Sequence, residues 1–377
     1  MNKIAIINPW NINENSIGGT ERFVLDLANS LSKNNYAIDV YMLSGESYIK
    51  DNVSYISLDL FDGATADEYM IVEKFGDFSS DKAYDNIAKM IENKIDVSQY
   101  KFLQLNSHFF LKCWETKKRI FTLHSNYDEF KVLWNDEEFD TMLEMMKATN
   151  DDKTTFVCPS VYYTKQWNKI VENVICIPHA LNYNRLVCSN PKKELISKYN
   201  ILDEKINILL PSRLEPVQKQ PQLVLDACSL LTRKEKEKLR IIFTGIDEQY
   251  KINIKSLDEF SRINNITSSF IQFDHIKEGY QLADIVILPS KSESFGYSAI
   301  EALSLGIKTI LSDIPTFNEI SKGVEHCIIF GNSAEELSNT ISKCLDYNDY
   351  QRTIPSVDWI NNYSLDKFAE RYVEIYE

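Results

Sequence analysis

Glu293 and Glu301 lie eight residues apart in the segment ESFGYSAIE, with Ser294, Phe295, Gly296 and Tyr297 between them. The apolar run DIVILPS (284–290) precedes them and reads as a buried strand, while YSAIEALSLG reads as a helix beginning near Gly296. Backbone N–H groups at a helix start form an anion site. Glu301 falls about five residues, roughly 7 Å along the helix axis, beyond that start. Carboxylates on either side of an anion site accept hydrogen bonds from hydroxyls. A ligand that presents a sugar, a diphosphate and a ribose in that order fits the spacing.

Other chemistry-bearing residues also fall just after apolar runs. Gly18 and Gly19 follow KIAIINP (3–9), His124 ends RIFTLHS (119–125), His179 ends VICIPH (174–179), and Gly245 ends RIIFTG (240–245). Arg213 follows INILLPS (206–212), with Lys219 six positions on. In open parallel sheets ligands bind beyond the carboxyl ends of the strands, at the switch point of the topology.

The elements that position these residues form two series. Strands are expected at 3–9, 37–43, 101–107, 119–125, 154–160 and 174–179, then at 206–212, 240–245, 268–273, 284–290, 308–313 and 327–330. Amphipathic stretches separate them, as parallel strands with crossover helices require. TERFVLDLANSLSKN, for example, puts Phe23, Leu27 and Leu31 on one helical face. The polar stretch 182–200 separates the series and is read as the linker. Residues 45–98 are acidic and irregular and are assigned to a sheet edge or a cleft rim. The expected fold is α/β: two doubly wound, Rossmann-like domains at 1–185 and 186–359 facing across a cleft, with a final helix at about 360–377 that has no strand after it.

A chain of 377 residues exceeds what one hydrophobic core usually supports, which agrees with two domains. The net charge is -14, and residues 1–190 carry 19 − 27 = -8 of it, so neither half is basic. Nucleic acid is therefore a poor partner. Lys117, Lys118 and Arg119, or Arg233 to Arg240, leave open a weak peripheral contact with an anionic membrane, although a solvated charged surface is the preferred reading. No apolar run is long enough to span a bilayer, and the N-terminus MNKIAIINPW lacks the pattern of a signal peptide, so a cytoplasmic location is expected. The seven cysteines are never spaced C-x-x-C and read as buried thiols, and Cys176 and His179 lack partners for a metal site.

ESFGYSAIE resembles the E-x-F-G-x-x-x-x-E element of retaining GT-B glycosyltransferases, in particular family 4 (glycosyl transferases group 1). GGTERFVLDLANSL, SRLEPVQKQPQLVLDA, ADIVILPS and DIPTFNEI resemble further pieces of that family, in the same order. The resemblance implies a metal-independent, retaining hexosyltransferase that uses a nucleoside-diphosphate sugar, with a UDP-sugar favoured, in cell-surface glycan or glycoconjugate synthesis. A glycan, a lipid-linked group or a protein would be the acceptor. Glu301 would hold the ribose and Glu293 the transferred sugar, with Ser294, Phe295, Gly296 and Tyr297 around the donor. Arg213 and Lys219 would neutralise the diphosphate, His124 would line the reaction centre, and Gly18 and Gly19 would let backbone approach the ligand. The tail helix would pack back on the N-terminal domain. The Arg213–Lys219 spacing of six, where many members have five, implies a loop of different shape.

Absent motifs sharpen the reading. The chain has no D-x-D, the usual metal–diphosphate ligand of the GT-A class, and no G-x-G-x-x-G, P-loop or G-x-S-x-G. No cofactor or metal is expected. Two rivals stay open: a sugar-nucleotide epimerase or phosphorylase on the same fold, and a non-catalytic glycan-binding or chaperone subunit.

Overall fold

The runs of Ile, Val, Leu and Phe become strands buried on both faces, as parallel sheets covered by helices demand. The computed structural model describes residues 2–13, 18–127, 135–201, 204–347 and 350–377. The chain divides into two compact units, one of residues 1–180 with 362–377 and one of residues 181–361. The change of unit thus falls at Ala180–Leu181.

The first unit contains β1 (Lys3–Asn8), β2 (Ala37–Met42), β3 (Tyr48–Lys50), β4 (Val53–Ser57), β5 (Phe102–Leu105), β6 (Arg119–Thr122), β7 (Thr154–Cys158) and β8 (Val174–Cys176). Their order in the sheet is β3-β4-β2-β1-β5-β6-β7-β8, parallel except for the β3–β4 hairpin. The order reverses between β1 and β5, which pair in register from Ile4–Phe102 to Ile7–Leu105. The irregular stretch 45–98 supplies the β3–β4 edge and the helices Glu68–Phe75 and Asp81–Glu92. The helix Gly19–Lys33 buries Phe23, Leu27 and Leu31 on one face of the sheet. Phe368, Tyr372 and Tyr376 of the last helix, Leu365–Tyr376, join the same core. Two hydrogen bonds anchor that helix to strand residues: Tyr376 OH donates to Gln104 Oε1 (3.1 Å), and Tyr372 OH lies 3.2 Å from Thr122 Oγ1.

The second unit is a six-stranded parallel sheet of β9 (Ile206–Leu210), β10 (Leu239–Phe243), β11 (Ser268–Phe270), β12 (Ile285–Leu288), β13 (Lys308–Ser312) and β14 (Cys327–Phe330), in the order β11-β10-β9-β12-β13-β14. Its switch point lies between β9 and β12, paired at Ile208–Ile285 and Leu209–Val286. The stretch read as a polar linker holds the helix Lys192–Lys198, fixed in this unit where Lys198 Nζ meets the nearly buried Glu278 at 2.9 Å.

Two basic residues grouped as surface charge are not surface residues. Arg119 is 1% exposed, and its guanidinium donates to Leu111 O, Cys113 O and Thr154 Oγ1. Arg240 is 8% exposed on β10. Both read as charged surface because an Arg buried on a strand looks like any other Arg in sequence. Among the described residues no helix is long and apolar enough to cross a membrane, and all seven cysteines are free thiols.

Candidate functional site

In the second unit the predicted residues gather on both sides of the β9/β12 switch point. After β9 the chain turns through Pro211 and Ser212 to Arg213, and Ser298 Oγ holds this turn by donating to Pro211 O (2.7 Å). Gly245, at φ +65°, backs the same turn: a Cβ there would lie 2.5 Å from Ser212 O and 2.8 Å from Arg213 Cα, so only glycine fits. Arg213 is exposed, and no described residue pairs with its guanidinium. A cation so placed is available to an anion from solvent.

Lys219 is placed differently. Its Nζ lies 2.7 Å from Glu293 Oε1, with only 13% and 15% of the two side chains exposed. Ser290 Oγ donates to the same Glu293 oxygen (2.8 Å), and Thr316 Oγ1 donates to the Glu293 carbonyl. Backbone bonds join the two loops as well: Lys291 N donates to Gln218 O (2.7 Å) and Gln218 Nε2 to Ser292 O (3.3 Å). Lys219 and Glu293 are 74 residues apart in sequence, yet they form one element of the site.

The helix Tyr297–Ser304 starts at Gly296, whose φ of +82° is the left-handed conformation that favours glycine. A Cβ there would press on Phe317 at 3.0 Å. Gly296 brings no side chain to cap the first turn, so the amide end of the helix keeps its capacity for an anion. Ser294 is half-buried beside it, while Phe295 is 4% exposed and packs edge-on against Tyr297 with ring centroids 4.8 Å apart. The Phe295 ring therefore belongs to the core, and only its backbone can serve a ligand. Glu301 is 5% exposed and accepts a hydrogen bond from Tyr280 OH (2.7 Å). Tyr280 is fully buried and its carbonyl is held by Arg352 Nη2 (2.8 Å). Sequence reasoning missed Tyr280, because a tyrosine in KEGYQLAD reads as one more core aromatic.

In the first unit Gly18 caps the helix Gly19–Lys33 at an ordinary φ of -67°. Neither Gly18 nor Gly19 uses a conformation reserved for glycine. A Cβ at Gly18 would first meet the Glu21 carboxylate, at 2.1 Å, the far end of a flexible side chain that can turn aside. His124 follows β6 and meets the Phe23 ring edge-on at 4.8 Å. Part of the residue stays accessible, but its Nε2 is enclosed with no hydrogen-bond partner among the described residues. Burial pushes His124 down to about 3, so the ring is neutral.

His179, which lacks partners for a metal site, is 3% exposed and sits 5.4 Å from His124 between ring centroids, with Phe23 4.7 Å away. Burial, then the nearness of His124, holds it well below the ordinary range. Two further buried amides end the neighbouring strands: Asn8 Oδ1 and Asn106 Nδ2 have no partner among the described residues. The only sequence signal for them was their place at a strand end. No group of three or more His, Cys, Asp or Glu residues is arranged as metal ligands among the described residues.

Residues 191–356 match the family model for glycosyl transferases group 1. An uncharacterized glycosyltransferase of Methanocaldococcus jannaschii is 27% identical over 112 residues, a stretch that spans 29% of each chain. Sucrose-phosphate synthase from Thermosynechococcus elongatus is similar over the whole of this chain and 98% of its own, with a TM-score of 0.79 at 16% identity. Anabaena HepE, solved in complex with UDP and glucose, is similar over 100% of this chain and 99% of its own (TM-score 0.73, 14% identity). WaaG, a glycosyltransferase involved in lipopolysaccharide biosynthesis, is similar over 99% of both chains (TM-score 0.74, 13% identity). The fold is thus the GT-B type expected from the sequence, and the resemblance to glycosyl transferases group 1 stands.

Proposed function

We propose that this chain, similar to glycosyl transferases group 1 across its second unit, transfers a hexose-type sugar from a nucleoside diphosphate to an acceptor hydroxyl with retention at the anomeric carbon. The observation that carries the reading is the second unit's switch point. There an exposed Arg213 that pairs with no described residue, the Lys219–Glu293 pair and a helix start at Gly296 without a side-chain cap adjoin the ends of β9 and β12. An anion with sugar and ribose hydroxyls at its two ends matches that set.

The roles follow from the chemistry of each group. Arg213, Lys219 and the helix amides bind the diphosphate and stabilise the charge that grows on it as the glycosidic bond breaks. Glu293 accepts hydroxyls of the transferred sugar, and Glu301, oriented by Tyr280, accepts those of the ribose. The acceptor oxygen bonds to the anomeric carbon on the face the phosphate leaves, and the acceptor proton passes to the departing phosphate oxygen. The diphosphate's charge is met by side chains and amides, so the reaction needs no metal. The donor is a UDP-sugar, as the UDP bound to HepE suggests, and the acceptor is a glycan, a lipid-linked group or a protein.

Calorimetry with UDP and UDP-glucose, followed by product analysis with and without candidate acceptors and with excess chelator, tests the reading. Binding of UDP and transfer with the α configuration kept, in the presence of chelator, are expected. Epimerised donor, phosphorolysis, or binding of glycan without turnover would replace the reading with one of its rivals.

A further inference from the structure

The loop that carries Lys219 is held by a residue with no role in the reading above. The Glu215 carboxylate turns back over its own chain and accepts hydrogen bonds from three successive amides: Val217 N (2.9 Å), Gln218 N and Lys219 N (3.3 Å). Pro216, with its restricted φ, joins the carboxylate to the amides it caps. On the far side of Lys219, Gln220 adopts the left-handed conformation (φ +48°), which side chains other than glycine seldom take, and Pro221 then opens the helix Pro221–Ser229. Lys219 therefore stands between a capped turn and a constrained residue. A strained backbone of this kind persists only where its surroundings over-determine it, and it concentrates at functional sites.

Val217 is 57% exposed, so its amide could be met by water, whereas the amides of the half-buried Gln218 and Lys219 gain from the carboxylate both a partner and a fixed direction. The direction matters, since the Lys219 amide that the cap holds belongs to the residue whose ammonium reaches Glu293.

We propose that Glu215 is a positioning residue that fixes Lys219 for its contact with the donor diphosphate. The proposal rests on the leaving-group role of Lys219 given above.

The test uses the full chain with Glu215→Ala and Glu215→Gln, each in wild-type and Lys219→Ala backgrounds. Amide hydrogen exchange reads the loop, and release of UDP from UDP-glucose into water reads turnover. In Glu215→Ala the amides of Val217, Gln218 and Lys219 exchange at least about tenfold faster while the melting temperature stays near wild type. Displacement of a reacting group by about 1 Å can cost up to about a hundredfold in rate, so kcat falls by about ten- to a hundredfold with KM within about twofold. Glu215→Gln keeps one acceptor oxygen of the two the cap uses and recovers part of both. In the Lys219→Ala background Glu215→Ala costs nothing further. Unchanged exchange, or an equal loss of kcat in both backgrounds, overturns the proposal. If wild type releases no UDP, or Lys219→Ala keeps wild-type kcat, the leaving-group reading has failed instead, and the exchange rates alone decide whether Glu215 holds the loop.

Discussion

Lys219 Nζ and Glu293 Oε1 are 2.7 Å apart, joining the loop after β9 to the loop after β12 across the second unit's switch point. Each residue neutralises the other while the site holds no donor. On the proposed function, an entering diphosphate would share the ammonium with the carboxylate, and a sugar hydroxyl would share the carboxylate with the ammonium.

Glu293→Gln should leave UDP binding unchanged or tighter, because Lys219 loses its competing anion, while sugar transfer falls by about ten- to a hundredfold. Calorimetry with UDP beside kinetics on a sugar donor separates the two effects. Weakening of UDP binding beyond about threefold would place Glu293 at the nucleotide instead.

Glu301 is held differently, by a hydrogen bond from Tyr280 OH. Tyr280→Phe leaves a nearly buried carboxylate without that hydroxyl, a loss that typically costs about 1–3 kcal/mol of stability. UDP affinity should fall with it, as it should in Glu301→Ala, since the ribose contact depends on the carboxylate's orientation. Full UDP affinity in both variants would remove Glu301 from the donor site.

His124 gives the first unit a pH dependence. Burial holds it down to about 3 in the folded chain, against about 6.5 unfolded, so the unfolded state binds the extra proton first. Stability is then complete above about pH 6.5 and is lost as the pH falls toward 3, by up to about 1.4 kcal/mol per pH unit for each such histidine. His179 is shifted in the same direction and adds to the slope. Denaturant unfolding between pH 7 and 5, where ordinary carboxylates stay largely ionised, should show the loss, and His124→Gln should make it shallower. A chain that gained stability on acidification would contradict the neutral, buried ring.

The sequence carried the strands well, because a parallel strand buried on both faces must be apolar throughout, and twelve such runs are visible. It hid β3 and β4. They are short, lie at an edge and alternate with polar residues, and their one signal was the Asp51-Asn52 turn, both residues left-handed (φ 51° and 63°) as a tight hairpin requires. Most strands also end one to three residues earlier than expected, at the Pro and polar residues that turn out of the ladder. Site residues were legible one at a time, as types at strand ends. Their pairings were not: Lys219 with Glu293, Glu301 with Tyr280 and His124 with His179 are each joined by the fold across tens of residues, and periodicity within one element does not report them.

Lys219 and Arg213 should both matter more to turnover than to donor binding, because negative charge grows on the diphosphate as the glycosidic bond breaks. Removing one preorganised donor of this kind typically costs on the order of 100- to 1000-fold in turnover, so Lys219→Ala should lower kcat far more than it raises the donor KM. Lys219→Arg should not restore it, since a planar fork does not fit a point-charge position that is 13% exposed and already closed by Glu293. Stability provides the control. Lys219→Ala strands the enclosed Glu293 carboxylate and should destabilise the chain by more than the roughly 0.5 kcal/mol of an ordinary surface change. Adding Glu293→Gln removes the stranded charge and should recover that stability without recovering kcat. Arg213, exposed and paired with no described residue, should show the kinetic loss with almost no change in stability. If Lys219→Ala and Arg213→Ala keep wild-type kcat with a working acceptor, the two cations do not serve the leaving group. The Lys219–Glu293 bridge would then be a structural tie between two loops.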